Sequence, residues 1–193
     1  MAGIALAFQQ GIREHLQVQR TNAMRPLLQT LPLRLEPFDE AHFAGLLALN
    51  SDPLVMQFLG DGSPATPTEV HQSIDTAKAR WERFGFSWWS FIRHDSGEII
   101  GAGCVQHIEN EPGNPVEIGW RLKRDHWGHG YATEAARAMI GFAFDELGLS
   151  SVYATTHPSN ERSINVMKRL GMRSVGLQPY DGTLAATFML EKP

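Results

Sequence analysis

The stretch Trp127-Gly128-His129-Gly130-Tyr131-Ala132-Thr133-Glu134-Ala135 joins a glycine-punctuated turn to an amphipathic helix, and its reading decides the fold. From Ala132 onward Ala135, Ala136, Met139, Ile140, Ala143 and Leu147 keep the i, i+3, i+4, i+7 spacing of one helical face. The first turn of such a helix carries backbone N–H groups with no intrahelical partner, at the positive end of the macrodipole. Glycines just before it let a phosphate approach the backbone closely. The turn is therefore expected to bind an anion, and a pyrophosphate fits the space.

Working outward, the segment before the turn reads as a strand over residues 115–122, fed by the Glu111-Pro112-Gly113-Asn114 turn. Two earlier strands, residues 87–93 and 99–107, are joined by Asp95-Ser96-Gly97, a hairpin signal. Further upstream, Leu31-Pro32-Leu33-Arg34-Leu35 alternates with period two, Asp39 opens a helix carrying Phe43, Leu46, Leu47 and Leu49, and Thr66-Pro67-Thr68-Glu69 is a capping box. The helix that follows carries Val70, Ile74, Ala77, Trp81 and Phe84 and ends near Gly85. Downstream lie a strand over residues 151–156 and a helix with Ser163, Val166, Met167 and Leu170 on one face, which stops at Gly171. Two final strands hold Val175 and residues 184–190. A meander followed by strand, helix, strand, helix and two strands predicts an α/β (α+β) fold of about seven strands. Ligands are expected where parallel strands diverge at their carboxyl ends, next to a helix N-terminus.

Length and composition bound the rest. With 193 residues and 42% hydrophobic content, the chain has material for one core. We divide it into an N-terminal extension, residues 1–24, and a single domain, residues 25–193. A net charge of -4 gives no global attraction to nucleic acid or to an anionic membrane, so neither is expected as a partner. The basic residues Arg121, Lys123, Arg124, His126 and His129 nevertheless crowd the glycine turn. They are either a solvated loop or part of an anion site. The one cysteine, Cys104, excludes an internal disulfide framework and sits among apolar residues. No run approaches the ~18 apolar residues of a membrane span, and no secretory pattern opens the chain, so a cytoplasmic location is expected.

Competing chemistries lack their residues. The turn has no Gly-Lys-Ser/Thr and no full three-glycine dinucleotide pattern. His126 and His129 lie three apart without a Cys or carboxylate set, so no metal is expected.

The order of motifs resembles the GNAT superfamily of acyl-CoA-dependent N-acyltransferases, and within it the branch of ribosomal-protein N-terminal (alanine/serine) acetyltransferases. The landmarks are Leu33-Arg34-Leu35, Asp52-Pro53-Leu54-Val55-Met56, Gly97-Glu98-Ile99-Ile100-Gly101, Glu117-Ile118-Gly119-Trp120, the glycine turn, Asn160-Glu161-Arg162-Ser163 and Leu170-Gly171-Met172. The resemblance implies a mixed, mostly antiparallel sheet with splayed central parallel strands and helices on both faces. It also implies acetyl-CoA as co-substrate, a primary amine as acceptor (a protein or peptide N-terminus, or a small molecule), and a monomer or homodimer. The family signature, Arg or Gln, two residues, Gly, one residue, Gly or Ala, falls on Trp127, Gly130 and Ala132. Trp127 departs from it, as an aromatic often does in this branch.

By resemblance the CoA pyrophosphate lies on Trp127, Gly128, His129, Gly130, Tyr131, Ala132 and Thr133, with Arg121, Lys123 or Arg124 available for further phosphate contacts. Backbone near Trp120 and Leu122 would hold pantetheine in the strand gap and stabilise an oxyanion. Asn160 is a CoA contact, a helix cap, or both. Ser163 either donates a proton to the CoA thiolate or bonds its own helix backbone. Many relatives place Tyr where this chain has Met167, so a tyrosine acid is excluded there. Glu117 is the leading candidate for a base acting through water; the alternative is a carboxylate tied to a neighbouring strand. His107, Asp181 and Tyr180 are weaker candidates, and Phe86, Trp88, Trp89 and Tyr180 are candidates for the acceptor pocket. The rival to an enzyme is a non-catalytic acyl-CoA-binding module.

Overall fold

The computed structural model describes residues 25–193; the extension read over residues 1–24 lies outside them. Eight strands form one sheet in the order β1-β2-β3-β4-β5-β6-β8-β7. They are β1 (Leu28–Gln29), β2 (Leu33–Pro37), β3 (Trp88–Arg93), β4 (Ile99–His107), β5 (Val116–Leu122), β6 (Ser151–Thr156), β7 (Arg173–Tyr180) and β8 (Thr183–Glu191). The helices are α1 (Phe43–Asn50), α2 (Pro53–Met56), α3 (Pro67–Phe84), α4 (Tyr131–Asp145) and α5 (Glu161–Arg169).

The expected caps are present. Asp39 forms a capping box with His42, and the Oγ1 of Thr66 accepts from Glu69 N while the Glu69 carboxylate accepts from Thr66 N at 2.7 Å. Gly85 ends α3 in the left-handed region at φ 76°. The strand count departs from seven because β1 is only two residues long, too short to carry a periodicity; Pro26 O beside it accepts from Trp89 Nε1 at 2.9 Å. Pairing in β2 begins at Leu33, leaving Leu31 95% exposed. β7 begins at Arg173, and Val175 falls in the irregularity between Ser174 and Gly176. The Asp52-Pro53-Leu54-Val55-Met56 motif forms the one-turn α2, an element not expected from the sequence, with Asp52 capping it and Pro53 opening it.

Helices cover both faces. On one, Ala135, Ala136, Met139 and Ala143 of α4 are fully buried against a core that includes Leu33, Leu35, Trp89, Phe91, Ile100 and Ile118, and α5 adds Met167. On the other, Leu46 and Leu49 of α1 and Val70, Ile74 and Ala77 of α3 pack with Phe38 and Ala102. Every strand pairing is antiparallel except β5 with β6, which meet in register only at Glu117 and Tyr153. β5 is zipped to β4 from Gly101–Leu122 to His107–Val116, and β6 to β8 along its whole length, so each keeps its own outer partner while the two separate. The splay opens the centre of the sheet toward the N-terminus of α4.

Candidate active site

A cavity of about 900 Å³ fills the splay. One of its boundaries is the glycine turn. Gly128 and Gly130 have φ of 80° and 84°, a conformation that L side chains rarely adopt, and a Cβ at either would meet no atom. Gly130 caps α4 without a side-chain hydrogen bond. Trp127 N donates to Arg124 O, and Glu134 N to Gly130 O, both at 3.0 Å. Between them, the backbone N–H groups of residues 128–133 donate to no protein acceptor among the described residues. That is a concave row of free donors at a helix N-terminus. Gly128, Gly130, Tyr131, Ala132 and Thr133 line the cavity, while His129 is exposed beside Tyr131.

The departure at Trp127 has a structural role. Its indole Nε1 donates to Leu122 O at 2.8 Å, pinning the turn to the end of β5, and the guanidinium of Arg162 lies 4.4 Å from its ring centroid. Arg162 and Arg169 line the cavity, and Arg169 Nε reaches Thr133 Oγ1 at 3.4 Å. Of the cations read as available for phosphate, only Arg121 lines the cavity, and each of the three has another partner. Lys123 pairs with Glu98 at 2.9 Å, Arg124 lies 4.0 Å from Asp52, and Arg121 turns to Asn50 on α1. Sequence proximity missed Arg162 and Arg169 because α5 reaches the turn only in three dimensions.

Trp120 and Leu122 line the cavity from β5, whose edge faces no paired strand beyond Glu117. Asn160 caps α5: its Oδ1 accepts from Ser163 N at 3.2 Å and its Nδ2 donates to Thr156 Oγ1 at 3.0 Å. Ser163 is half-buried on the cavity wall, and its hydroxyl has no hydrogen-bond partner among the described residues.

Glu117 is 4% exposed. Its carboxylate accepts from Gln106 Nε2 at 3.0 Å, Thr155 Oγ1 at 2.8 Å and the Tyr180 hydroxyl at 3.1 Å. Burial pushes its carboxyl above the ordinary value, against the opposing pull of those three donors. It does not itself face the cavity; Tyr180 and Thr155, in front of it, do. Burial and the adjacent carboxylate push the Tyr180 phenol up, so it stays a donor at neutral pH. The network runs on: Gln106 Oε1 accepts from Trp88 Nε1 at 3.1 Å. Cys104 is buried, and burial with the Glu117 charge raises its thiol, which makes it inert.

Other candidates are sorted by position. Asp181 lines the cavity. His107 sits against Phe84 and Phe86, away from it, with its Nδ1 on Asn114 O at 2.9 Å. Trp89 is core, and Trp88 serves the network rather than the wall. The side chains of Trp88 and Trp89 alternate across β3, which removes one of the pair from any single face. Phe58, on the segment after α2, stacks on His157 at 5.3 Å and links two walls of the cavity.

A splayed parallel pair with a free-donor turn at a helix start is the arrangement that the resemblance to acyl-CoA-dependent N-acyltransferases implies. The family model for the acetyltransferase (GNAT) domain matches residues 32–173, and the chain belongs to that family. It is 43% identical over 150 residues to the uncharacterized N-acetyltransferase YnaD of Bacillus subtilis, covering 77% of this chain and 84% of that one. It is 34% identical over 161 residues to the FsC-acetyl coenzyme A-N(2)-transacetylase of Aspergillus fumigatus, covering 78% and 66%. The solved structure of the ribosomal L7/L12 α-N-protein acetyltransferase RimL in complex with coenzyme A shares the fold, with a TM-score of 0.72 at 17% identity, covering 86% and 98%.

Proposed function

We propose that this acetyltransferase moves an acetyl group from acetyl-CoA to a primary amine, a peptide or protein N-terminus or a small molecule, by direct attack of the amine on the thioester. The observation that carries the reading is the meeting, in one splay, of the unpaired amides of residues 128–133 with a phenol backed by a buried carboxylate. The residues fit the co-substrate: free N–H donors and two arginines suit a pyrophosphate, and an open strand edge suits the amides of a pantetheine arm. Acetyl-CoA supplies the activated acyl group.

The chain supplies position and proton transfer. Backbone near Trp120 and Leu122 holds the arm and polarises the carbonyl oxygen. The amine must be neutral to attack, and its ordinary pKa is about 7.7 to 8.0 for an α-amino group or about 10.4 for a lysine. Glu117 takes the proton through Tyr180 or a water held by it, and Ser163 gives one to the departing thiolate. We also assign the protein to the cytoplasm, where a single buried thiol needs no oxidising partner.

The test is release of free thiol from acetyl-CoA across an amine panel, with mass spectrometry locating the added acetyl group. Turnover of one or more amines is expected. Saturable CoA binding without turnover of any amine would make the protein an acyl-CoA-binding module.

A further inference from the structure

Glu117, Gly119 and Arg121 are alternate residues of β5 and share one face of the sheet. The ends of this short row are unlike. At one end stands the Glu117 carboxylate with Tyr180 before it. At the other the Arg121 guanidinium lies over Trp88, its Cζ 4.5 Å from the ring centroid, with Nε donating to Asn50 Oδ1 at 2.9 Å. Between them Gly119 has no side chain, and the only atom within 4 Å of an added Cβ is Cys104 Sγ at 3.1 Å. The row therefore has no side chain between its two charged residues, whose Cα atoms are about 13 Å apart, and the side chains of both reach the neighbourhood of Cys104 Sγ.

Arg121 differs from four of the basic residues around it, while Arg162 and Arg169 on the same cavity wall are, like it, without a carboxylate partner among the described residues. Arg34, Arg93, Lys123 and Arg124 each have a carboxylate partner. Among the described residues Arg121 has none, although it lines the cavity and is enclosed enough for desolvation to bring it down to about 10. An enclosed guanidinium without a counter-charge is unfavourable unless a ligand supplies one. With Nε occupied and the guanidinium held beside an indole, its terminal N–H groups remain for a carboxylate, which an arginine fork takes through two parallel hydrogen bonds.

We propose that Arg121 is the carboxylate subsite of the acceptor: the amine substrate carries a carboxylate of its own, held by Arg121 across Gly119 while its amine is presented to Tyr180 and Glu117. This rests on the acetyl-transfer reading and narrows it from amines at large to amino acids and to peptides with an acidic N-terminal residue.

The experiment uses acceptor pairs that differ only in a carboxylate becoming a carboxamide. They are free α-amino acids against their C-amides, and peptide amides beginning with Asp or Glu against those beginning with Asn or Gln. For the full chain, kcat/KM for the carboxylate member is expected to exceed that of its partner by about tenfold or more in at least one series. In Arg121→Gln the ratio collapses toward one while the KM for acetyl-CoA stays within about twofold. Arg121→Lys, which keeps the charge and loses the fork, retains part of the ratio and serves where the Gln variant does not fold. Equal ratios in wild type and variants overturn the proposal, as does an Arg121-dependent preference for succinyl-CoA over acetyl-CoA, which puts the carboxylate on the donor. If no acceptor turns over, the transfer reading fails by itself. The subsite is then tested by calorimetric titration of N-acetyl amino acids against their amides, where equal affinities overturn it.

Discussion

The two ends of the cavity are built by opposite means. At the glycine turn the donors are backbone: two residues at positive φ and a helix start with no side-chain cap leave a row of N–H groups free. At the Glu117 end every group is a side chain and each is already engaged, with Trp88, Gln106, Thr155 and Tyr180 in one hydrogen-bonded chain around the carboxylate. A backbone site tolerates changes of side chain and is destroyed by bulk or charge at its glycines. A side-chain network is sensitive to each member and adjustable through each.

The largest test of this contrast is Gly130→Glu, which puts a carboxylate among the free donors; CoA affinity is expected to fall at least about 100-fold, ~2.7 kcal/mol, in isothermal titration. Because Gly130 is at φ 84° the change also strains the turn, so Gly130→Ala is the control, with a smaller loss of affinity expected. A Gly130→Glu protein with wild-type affinity would break the backbone half of the comparison.

Next, Glu117→Gln is expected to lower kcat about 100-fold while leaving CoA affinity nearly unchanged. The wild-type kcat/KM should fall as pH drops through a value above the ordinary 4.5, because burial raises this carboxyl, and the variant should lose that limb. Stability runs the other way. With the folded pKa above the unfolded one, the contribution of neutral Glu117 is full below 4.5 and is lost as pH rises through the raised value. Thermal midpoints measured across that range should show the slope in wild type and not in Glu117→Gln.

Ser163→Ala is expected to lower kcat about tenfold, with less effect on CoA affinity, if its free hydroxyl serves the thiolate. Stopped-flow comparison of chemistry with binding separates the two. The smallest effect belongs to Arg162→Ala, a few-fold loss of CoA affinity that grows weaker in high salt, as fits a cation stacked on Trp127 at 4.4 Å and facing solvent. A larger loss would mean that the phosphate end depends on side chains as heavily as the other end does.

The same contrast explains what could be read from the chain. The glycine turn, its helix and the Thr66 and Asp39 caps are local: their signals lie within a few residues, and each element forms where its pattern stands. The glycine turn with its row of free N–H groups was legible for that reason. Glu117 stood out as a residue on the right strand, but its partners Gln106, Thr155 and Tyr180 come from three other strands, and no spacing announces them. Asn50 under Arg121, and Arg162 over Trp127, are likewise products of helices folding back on the sheet. Sequence proximity makes Lys123 and Arg124 available for phosphate and does not show their pairing with Glu98 and Asp52. β1 was missed because two residues cannot show a period.

The single rung between β5 and β6, Glu117 with Tyr153, has one more consequence. It makes the sheet two panels on one hinge pin, with the ionisable residue of the site as half of the pin. The gap exists because the rows beyond that rung do not engage. A variant that gained a second rung there would shut the groove like a zip, leaving each polar side chain in its place and the co-substrate with nowhere to lie.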